Sequence, residues 1–263
     1  MFTHYRTSGF ILKKVDQGEV GQLFTIYTKD FGKLEILGKA IRKISSKLRS
    51  GVELFYLSEI EFIQGKSHKT LTDTILIENF PILRKDLERL PIAYRISEVL
   101  DNLVKGQEAD KEIWRLLNET FTELNNLRIE NKKMEIIYYY FLWNLLSISG
   151  YQPELYNCSL CQKNLSTYFK LKYGLDRVQK DLCSGLLPEK LYFNLKEGGI
   201  ICQNCFQGKK SGESIEPETI KILRVILEKK WQTLLKLKIK PNYLKLLKSI
   251  SGKYLLHILE GVK

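Results

Sequence analysis

Four cysteines fall in two pairs of the same spacing, Cys158-Ser-Leu-Cys161 and Cys202-Gln-Asn-Cys205. Two residues between cysteines let both thiolates face one ion, while N–H groups of the turn donate to the sulfurs. Two such knuckles supply four soft ligands in a tetrahedral set closed to water. Catalytic zinc needs an open position, usually with a His or a carboxylate among its ligands, and no histidine lies between residues 158 and 205. The spacing therefore predicts one structural Zn2+ on Cys158, Cys161, Cys202 and Cys205. The gap between the knuckles is 40 residues, longer than the roughly 15–20 of a compact zinc ribbon. It is expected to carry structure of its own, with strands near Tyr168–Tyr173 and Leu191–Leu195. Cys183 lacks a paired neighbour and reads as an ordinary small residue.

The second chemistry is that of phosphate. The run from Gly38 to Gly51 carries Lys39, Arg42, Lys43, Lys47 and Arg49 with no acid. Long cationic side chains on a glycine-hinged segment can follow a phosphate backbone without a fixed register. The alternatives are a solubilising surface loop, or a short amphipathic helix capping a barrel through Ile41, Ile44 and Leu48. Neighbouring Phe24, Tyr27, Phe31, Phe55 and Tyr56 could stack on bases, although aromatics at strand spacing are more often core. The whole chain has 42 Lys+Arg against 30 Asp+Glu, a net charge of +12. That balance suits a polyanionic partner. The surplus is uneven: residues 206–263 hold 13 basic and 5 acidic residues, and Lys229 to Lys253 has eight lysines and no acid. Helix-dipole complementation accounts for one or two late lysines, so a cationic binding surface is expected there too.

Bond-breaking chemistry finds no support. Gly65-Lys66-Ser67 resembles the end of a P-loop, but Ile60 stands where the first glycine belongs. There is no dinucleotide fingerprint and no H-E-x-x-H, and His4, His68 and His257 are scattered. The pattern points to binding, with a nuclease using unrecognised acids, or a zinc-containing RNA-binding protein, as alternative readings.

These groups need elements to position them. Over the first eighty residues, short β-rich runs at Thr7–Lys14, Leu23–Thr28, Lys33–Leu37, Leu54–Phe62 and Leu71–Ile77 alternate with glycines. Five short strands with such punctuation fit a closed barrel of OB type. After Pro81 the apolar period becomes helical. One helix is expected through Leu87, Leu90, Tyr94, Ile96, Leu100 and Leu103. A second takes Ile113, Leu116, Leu117, Thr120, Phe121 and Leu124, and a third, apolar on most faces, runs Met134 to Ser149. Helical structure resumes near Pro217 with a stripe of Ile220, Leu223, Leu227, Trp231 and Leu234. The uncharged stretch Ile136 to Pro153 is broken by tyrosines, Asn144, Gly150 and Pro153, so it reads as a core helix and not a membrane span. The opening residues lack a signal-peptide core, and paired cysteines suit a reducing compartment, so the expected location is the cytoplasm.

The expected class is α+β: a five-stranded OB-fold barrel (1–80), a helical domain (81–157 and 206–263) and a zinc-binding insertion (158–205). Several segments in order resemble one family, the bacterial recombination-mediator and DNA-repair protein RecO. They are Thr7-Ser8-Gly9-Phe10-Ile11-Leu12-Lys13, Tyr27-Thr28-Lys29-Asp30-Phe31-Gly32-Lys33-Leu34, the basic Gly38-Lys39-Ala40-Ile41-Arg42-Lys43, and Glu78-Asn79-Phe80-Pro81-Ile82-Leu83-Arg84. Ser149-Gly150-Tyr151-Gln152-Pro153-Glu154-Leu155 resembles the entry to that family's zinc module, and Tyr192 through Cys202 its exit. The resemblance implies binding of single- and double-stranded DNA, annealing of complementary strands, and work with RecR and single-strand-binding protein in loading RecA. It also implies DNA contact at Lys39, Arg42, Lys43, Lys47 and Arg49, and a nucleoid-associated cytoplasmic location. The lysine-rich C-terminal region is heavier than the family pattern, and reads as an extra DNA path or a landing site for the acidic tail of single-strand-binding protein.

Overall fold

The structure, a computed structural model, describes residues 3–44, 46–65, 68–127, 129, 133–165, 190–209, 211–228 and 231–261. The strand expected at Tyr168–Tyr173, Cys183, Lys229 and Lys230 lie outside the described residues. The chain divides into two compact units, Met1–Leu145 and Leu146–Lys263.

In the first unit, β1 (His4–Gln17), β2 (Gly21–Thr28), β3 (Gly32–Gly38), β4 (Leu57–Gln64) and β5 (Lys69–Glu78) close a barrel in the order β1-β2-β3-β5-β4. β1 serves two partners. His4–Phe10 pair with β4, and Gly9–Gln17 pair with β2. A register shift between Ile11 and Lys13 bends the strand from one to the other. Closure comes from a short parallel seam, Ile36 with Lys69 and Leu37 with Thr70. The interior is filled by Ile11, Phe24, Ile26, Leu34, Ile36, Ile60, Phe62 and Leu71. The strand expected over Leu54–Phe62 begins later, at Leu57, because Phe55 takes a φ of +65°. That segment hooks onto β1 instead: Phe55 N donates to Ile11 O at 2.8 Å, and Ile11 N to Tyr56 O at 3.0 Å.

Helices cover the outside of the barrel. α1 (Pro81–Lys85) leads to α2 (Arg89–Leu103), α3 (Lys111–Leu124) and α4 (Met134–Ile148). Phe10 points outward from β1 and meets Phe80, Trp114 and Phe121 at ring distances of 5.2–6.1 Å. Phe55 packs on Tyr94 and Phe121. The β2–β3 turn is pressed against the α2–α3 connection. Gly32 has φ +61°, and a Cβ there would lie 2.3 Å from the Glu108 carbonyl oxygen, so only glycine fits. Lys33 Nζ donates to the Asp101 backbone carbonyl at 2.6 Å and to its carboxylate at 3.0 Å.

The six residues expected to be buried on α3 are the six found. Asp110 caps this helix by accepting from the Glu112 and Ile113 N–H groups. α2 starts later than its apolar pattern suggests. Asp86 accepts from the N–H groups of Glu88 and Arg89, and this cap leaves Leu87 exposed ahead of the helix. Arg89 is 3% exposed and donates to the carbonyls of Leu124, Asn126 and Ile129 at 2.7–3.1 Å, with Asp86 as its counter-ion at 3.2 Å. It thereby satisfies the carbonyls that α3 leaves open at its end.

The second unit holds a three-stranded antiparallel sheet of β6 (Leu191–Asn194) between β7 (Gly199–Ile201) and β8 (Glu213–Ile215). Among the described residues, four helices follow β7: α5 (Gln203–Lys209), α6 (Pro217–Leu227), α7 (Trp231–Lys236) and α8 (Pro241–Gly261). The stripe expected from Ile220 to Leu234 is divided between two helices, the first ending at Leu227 with Glu228 as its C-cap and the second beginning at Trp231. α6 buries Ile220, Ile222, Leu223 and Ile226. Phe193 on β6 meets Tyr254 of α8 edge-on at 5.4 Å. Among the described residues, no helix is long and apolar enough to cross a membrane.

Replacing Arg89 by methionine keeps most of the volume but strands three carbonyls and the Asp86 carboxylate. The expected loss is about 3 kcal/mol of unfolding free energy, read from the urea midpoint. A midpoint within error of the wild type would show that these bonds carry no net stability.

Candidate metal centre and nucleic-acid interface

Each cysteine knuckle is built by its own local chemistry. At the first, Cys158 N donates to Lys163 O, Gln162 N donates to Cys158 O, and Gln162 takes φ +58°, which folds residues 158–163 into a tight turn. At the second, Cys202 follows β7 and its carbonyl accepts from Phe206 N in the first turn of α5. Backbone pairing joins the two. Glu154 N donates to Gly198 O, Ile200 N to Glu154 O and Ser159 N to Ile200 O, all at 2.8–2.9 Å. Gly199 makes the approach possible, since a Cβ there would meet Glu154 O and Ser159 Oγ at 2.5 Å.

The result brings the sulfurs of Cys158, Cys161, Cys202 and Cys205 within 4.8 Å of one another. Cys161 and Cys202 are 3.8 Å apart. Metal–sulfur bonds of about 2.3 Å in a tetrahedron give sulfur–sulfur edges of about 3.8 Å, so these residues could hold one soft cation. All four are free thiols, not disulfides. Burial raises the Cys158 thiol, but N–H groups of Cys161, Cys202 and Leu160 outweigh it and bring the group down to about 7. Burial, with hydrogen bonds among the neighbouring sulfurs, pushes Cys205 up to about 12. One thiolate forms readily in such a cluster. Four require a cation to offset their mutual repulsion.

The second group is the β3–β4 connection. Ile41 and Val52 are buried in the barrel core and Leu48 packs against it. Arg42 N donates to Val20 O in the β1–β2 turn, and a short 3-10 turn spans Lys47–Gly51. Gly51 lies against the Thr74 side chain on β5, where a Cβ would be 2.5 Å from Oγ1. The segment is thus held against the barrel at Ile41–Arg42 and again between Leu48 and Val52. Lys39, Arg42, Lys43, Lys47 and Arg49 are all exposed. Of the five, Arg42 alone has an ion-pair partner among the described residues, Asp16 at 3.2 Å.

Comparison with known proteins places this arrangement. Residues 1–80 match the family described as Recombination protein O N terminal, and residues 84–263 match Recombination protein O C terminal. The chain belongs to the RecO family. A DNA repair protein RecO from Dehalococcoides mccartyi is 29% identical over 240 residues, spanning 91% of this chain and 85% of the relative. RecO proteins from Alkaliphilus metalliredigens and Acetivibrio thermocellus are 27% and 26% identical over 257 residues, 98% of this chain and 94% and 92% of theirs.

Within this RecO chain the sequence reading and the structure differ at several residues. The four cysteines come together as their spacing requires. The cationic segment touches the barrel core through Ile41, Leu48 and Val52. Ile41 and Leu48 cap the barrel as one alternative held, but Ile44 is 98% exposed and does not. Phe24, Tyr27 and Phe55 are buried, so they are core and not stacking platforms. Tyr27 shows why: its hydroxyl donates to the Asp110 carbonyl, and burial lifts its phenol to about 12. Tyr56 is covered by the Arg84 guanidinium, 4.4 Å from the ring centre. Gly199 was missed by the sequence reading. Its signal was the Gly198-Gly199 pair just ahead of the second knuckle.

Replacing Cys161 by serine should abolish metal retention, measured by elemental analysis of the purified protein, and lower the thermal midpoint. Gly199→Ala should weaken metal retention without touching a ligand. A Cys161→Ser protein that is metal-free yet as stable as the wild type would show that the clamp is dispensable.

Proposed function

We propose that this chain is a non-enzymatic recombination mediator in DNA repair. It binds single- and double-stranded DNA, anneals complementary strands and, with RecR, helps load RecA onto DNA coated by single-strand-binding protein. The observation that carries this reading is the β3–β4 connection of the barrel, where Ile41 and Val52 are buried in the core and Leu48 packs on it while five cations stand in solvent. Anchored cations lose little conformational freedom when a phosphate arrives, and affinity then comes from counter-ion release. Binding should weaken steeply with salt and show slight sequence preference. The functional divisions are a DNA-binding OB-fold domain over 1–80, a helical domain over 81–157 and 206–263, and a metal-binding insertion over 158–205. The metal is zinc, which four thiolates at tetrahedral spacing favour. The protein works in the cytoplasm, at the nucleoid.

Partner binding has its own support. An apolar groove of about 680 Å³ in the second unit is lined by Ile222, Val225, Leu237 and Tyr243, with four cations and two carboxylates around it. Lys238 and Lys240 on its wall are exposed. Such a groove suits the acidic tail of single-strand-binding protein.

The test pairs binding with annealing. Arg42→Glu combined with Lys43→Glu should lower DNA affinity at least tenfold in moderate salt, equivalent to about 1.4 kcal/mol, and slow the annealing of protein-coated complementary oligonucleotides. Zinc content should stay intact. Unchanged affinity would remove the connection from the interface. Labelled DNA should remain full-length with magnesium or manganese present, and shortening would establish an enzyme instead.

A further inference from the structure

Where the β1–β2 turn meets the β3–β4 connection, the barrel surface holds a cleft of about 160 Å³. Its walls carry three cations, Lys14, Arg42 and Arg49, against one carboxylate, Glu53. Gln22 adds an amide, and Ile41 and Val52 make an apolar floor. The cleft has room for a group of the size of one phosphate. The charge balance selects an anion, and guanidinium forks match phosphate oxygens.

Two of the three cations are already held by carboxylates. Lys14 Nζ lies 2.7 Å from Glu53 Oε2, and Arg42 lies 3.2 Å from Asp16. Lys13, one residue earlier on β1, turns to the opposite side and lies 3.9 Å from Asp101 of α2. Lys14 is therefore the β1 lysine that faces the cationic connection. Glu53 also lies 3.9 Å from Arg84, so it keeps a cationic neighbour if Lys14 leaves it.

We propose that this cleft is a phosphate subsite for an internal phosphodiester of the DNA backbone, with Lys14, Arg42 and Arg49 as its donors. Glu53 and Asp16 are built-in competitors that occupy two of those donors until a phosphate displaces them. The inference rests on the reading of the β3–β4 connection as a DNA contact, and adds to it a donor outside that connection and two residues that oppose binding.

The experiment uses the full-length protein and a labelled single-stranded oligonucleotide, with affinity followed over a salt series by fluorescence anisotropy. Lys14→Gln should bind severalfold more weakly, with the log–log salt slope shallower by about 0.7. Glu53→Gln should bind more tightly than wild type. Lys13→Gln, whose side chain lies outside the cleft, should match wild type. The opposite signs at Lys14 and Glu53 distinguish a ligand site from a structural ion pair, because loss of a structural pair would move both variants the same way. Shifts in the same direction, or a Lys14→Gln protein that binds as wild type, overturn the subsite. In the latter case, lost binding in the Arg42→Glu, Lys43→Glu variant leaves the connection as the DNA contact. Normal binding there removes that reading as well. Oligonucleotides with and without a 5′-phosphate should bind alike, and dependence of the Lys14 effect on that end group overturns the assignment to an internal phosphodiester.

Discussion

The barrel closes through only two parallel residue pairs, Ile36 with Lys69 and Leu37 with Thr70. So short a seam leaves much of one edge of β5 without a strand partner, and an unpaired edge exposes backbone groups and the apolar interior beside it. The β3–β4 connection answers that need. Ile41 and Val52 complete the interior, and Thr74 Oγ1 on β5 donates to the Leu48 carbonyl at 3.2 Å. Because these apolar residues must be buried, the cations between them are forced outward. Barrel closure and the display of positive charge are two results of one packing requirement.

The same economy of surface explains which face of the barrel is left for a partner. Strands 2 and 3 form the usual oligonucleotide face of an OB-fold. Here Tyr27 and Lys33 on those strands are engaged by Asp110 and Asp101, and Gly32 is pressed against Glu108. The chain's own helices thus occupy that end. The β1–β2 turn and the β3–β4 connection are left in contact with each other through Arg42 and Val20.

What could be read from the sequence divides along physical lines. The cysteine cluster was legible because metal-ligand chemistry is local: two residues of spacing set each half, and the four-ligand requirement joins the halves. The buried stripe of α3 was legible because amphipathic period and burial coincide over its full length. Leu54–Phe62 was misread because Phe55 adopts a left-handed conformation that no propensity announces. Arg89 was passed over because a charged residue reads as solvated until its carbonyl partners, 35 to 40 positions away, are known. The connection was half legible: the helical spacing of Ile41, Ile44 and Leu48 suggests a cap on the barrel, but Ile44 is exposed and the burial of Val52 depends on the barrel it completes.

The close packing at Gly199 carries a consequence for the 40 residues between the knuckles. Glu154 and Ser159 are hydrogen-bonded to Gly198 and Ile200, so the two knuckles are joined by short backbone pairing to the last residues of that interval. The entropy of closing a loop grows only logarithmically, about 0.6 kcal/mol for each doubling of length. Added length between Leu165 and Lys190 therefore costs little loop-closure entropy, whereas β6, β7 and Gly199, which end the interval, must stay for the four sulfurs to keep their positions. A lineage, or a protein engineer, can splice in new surface ahead of β6 at little entropic cost.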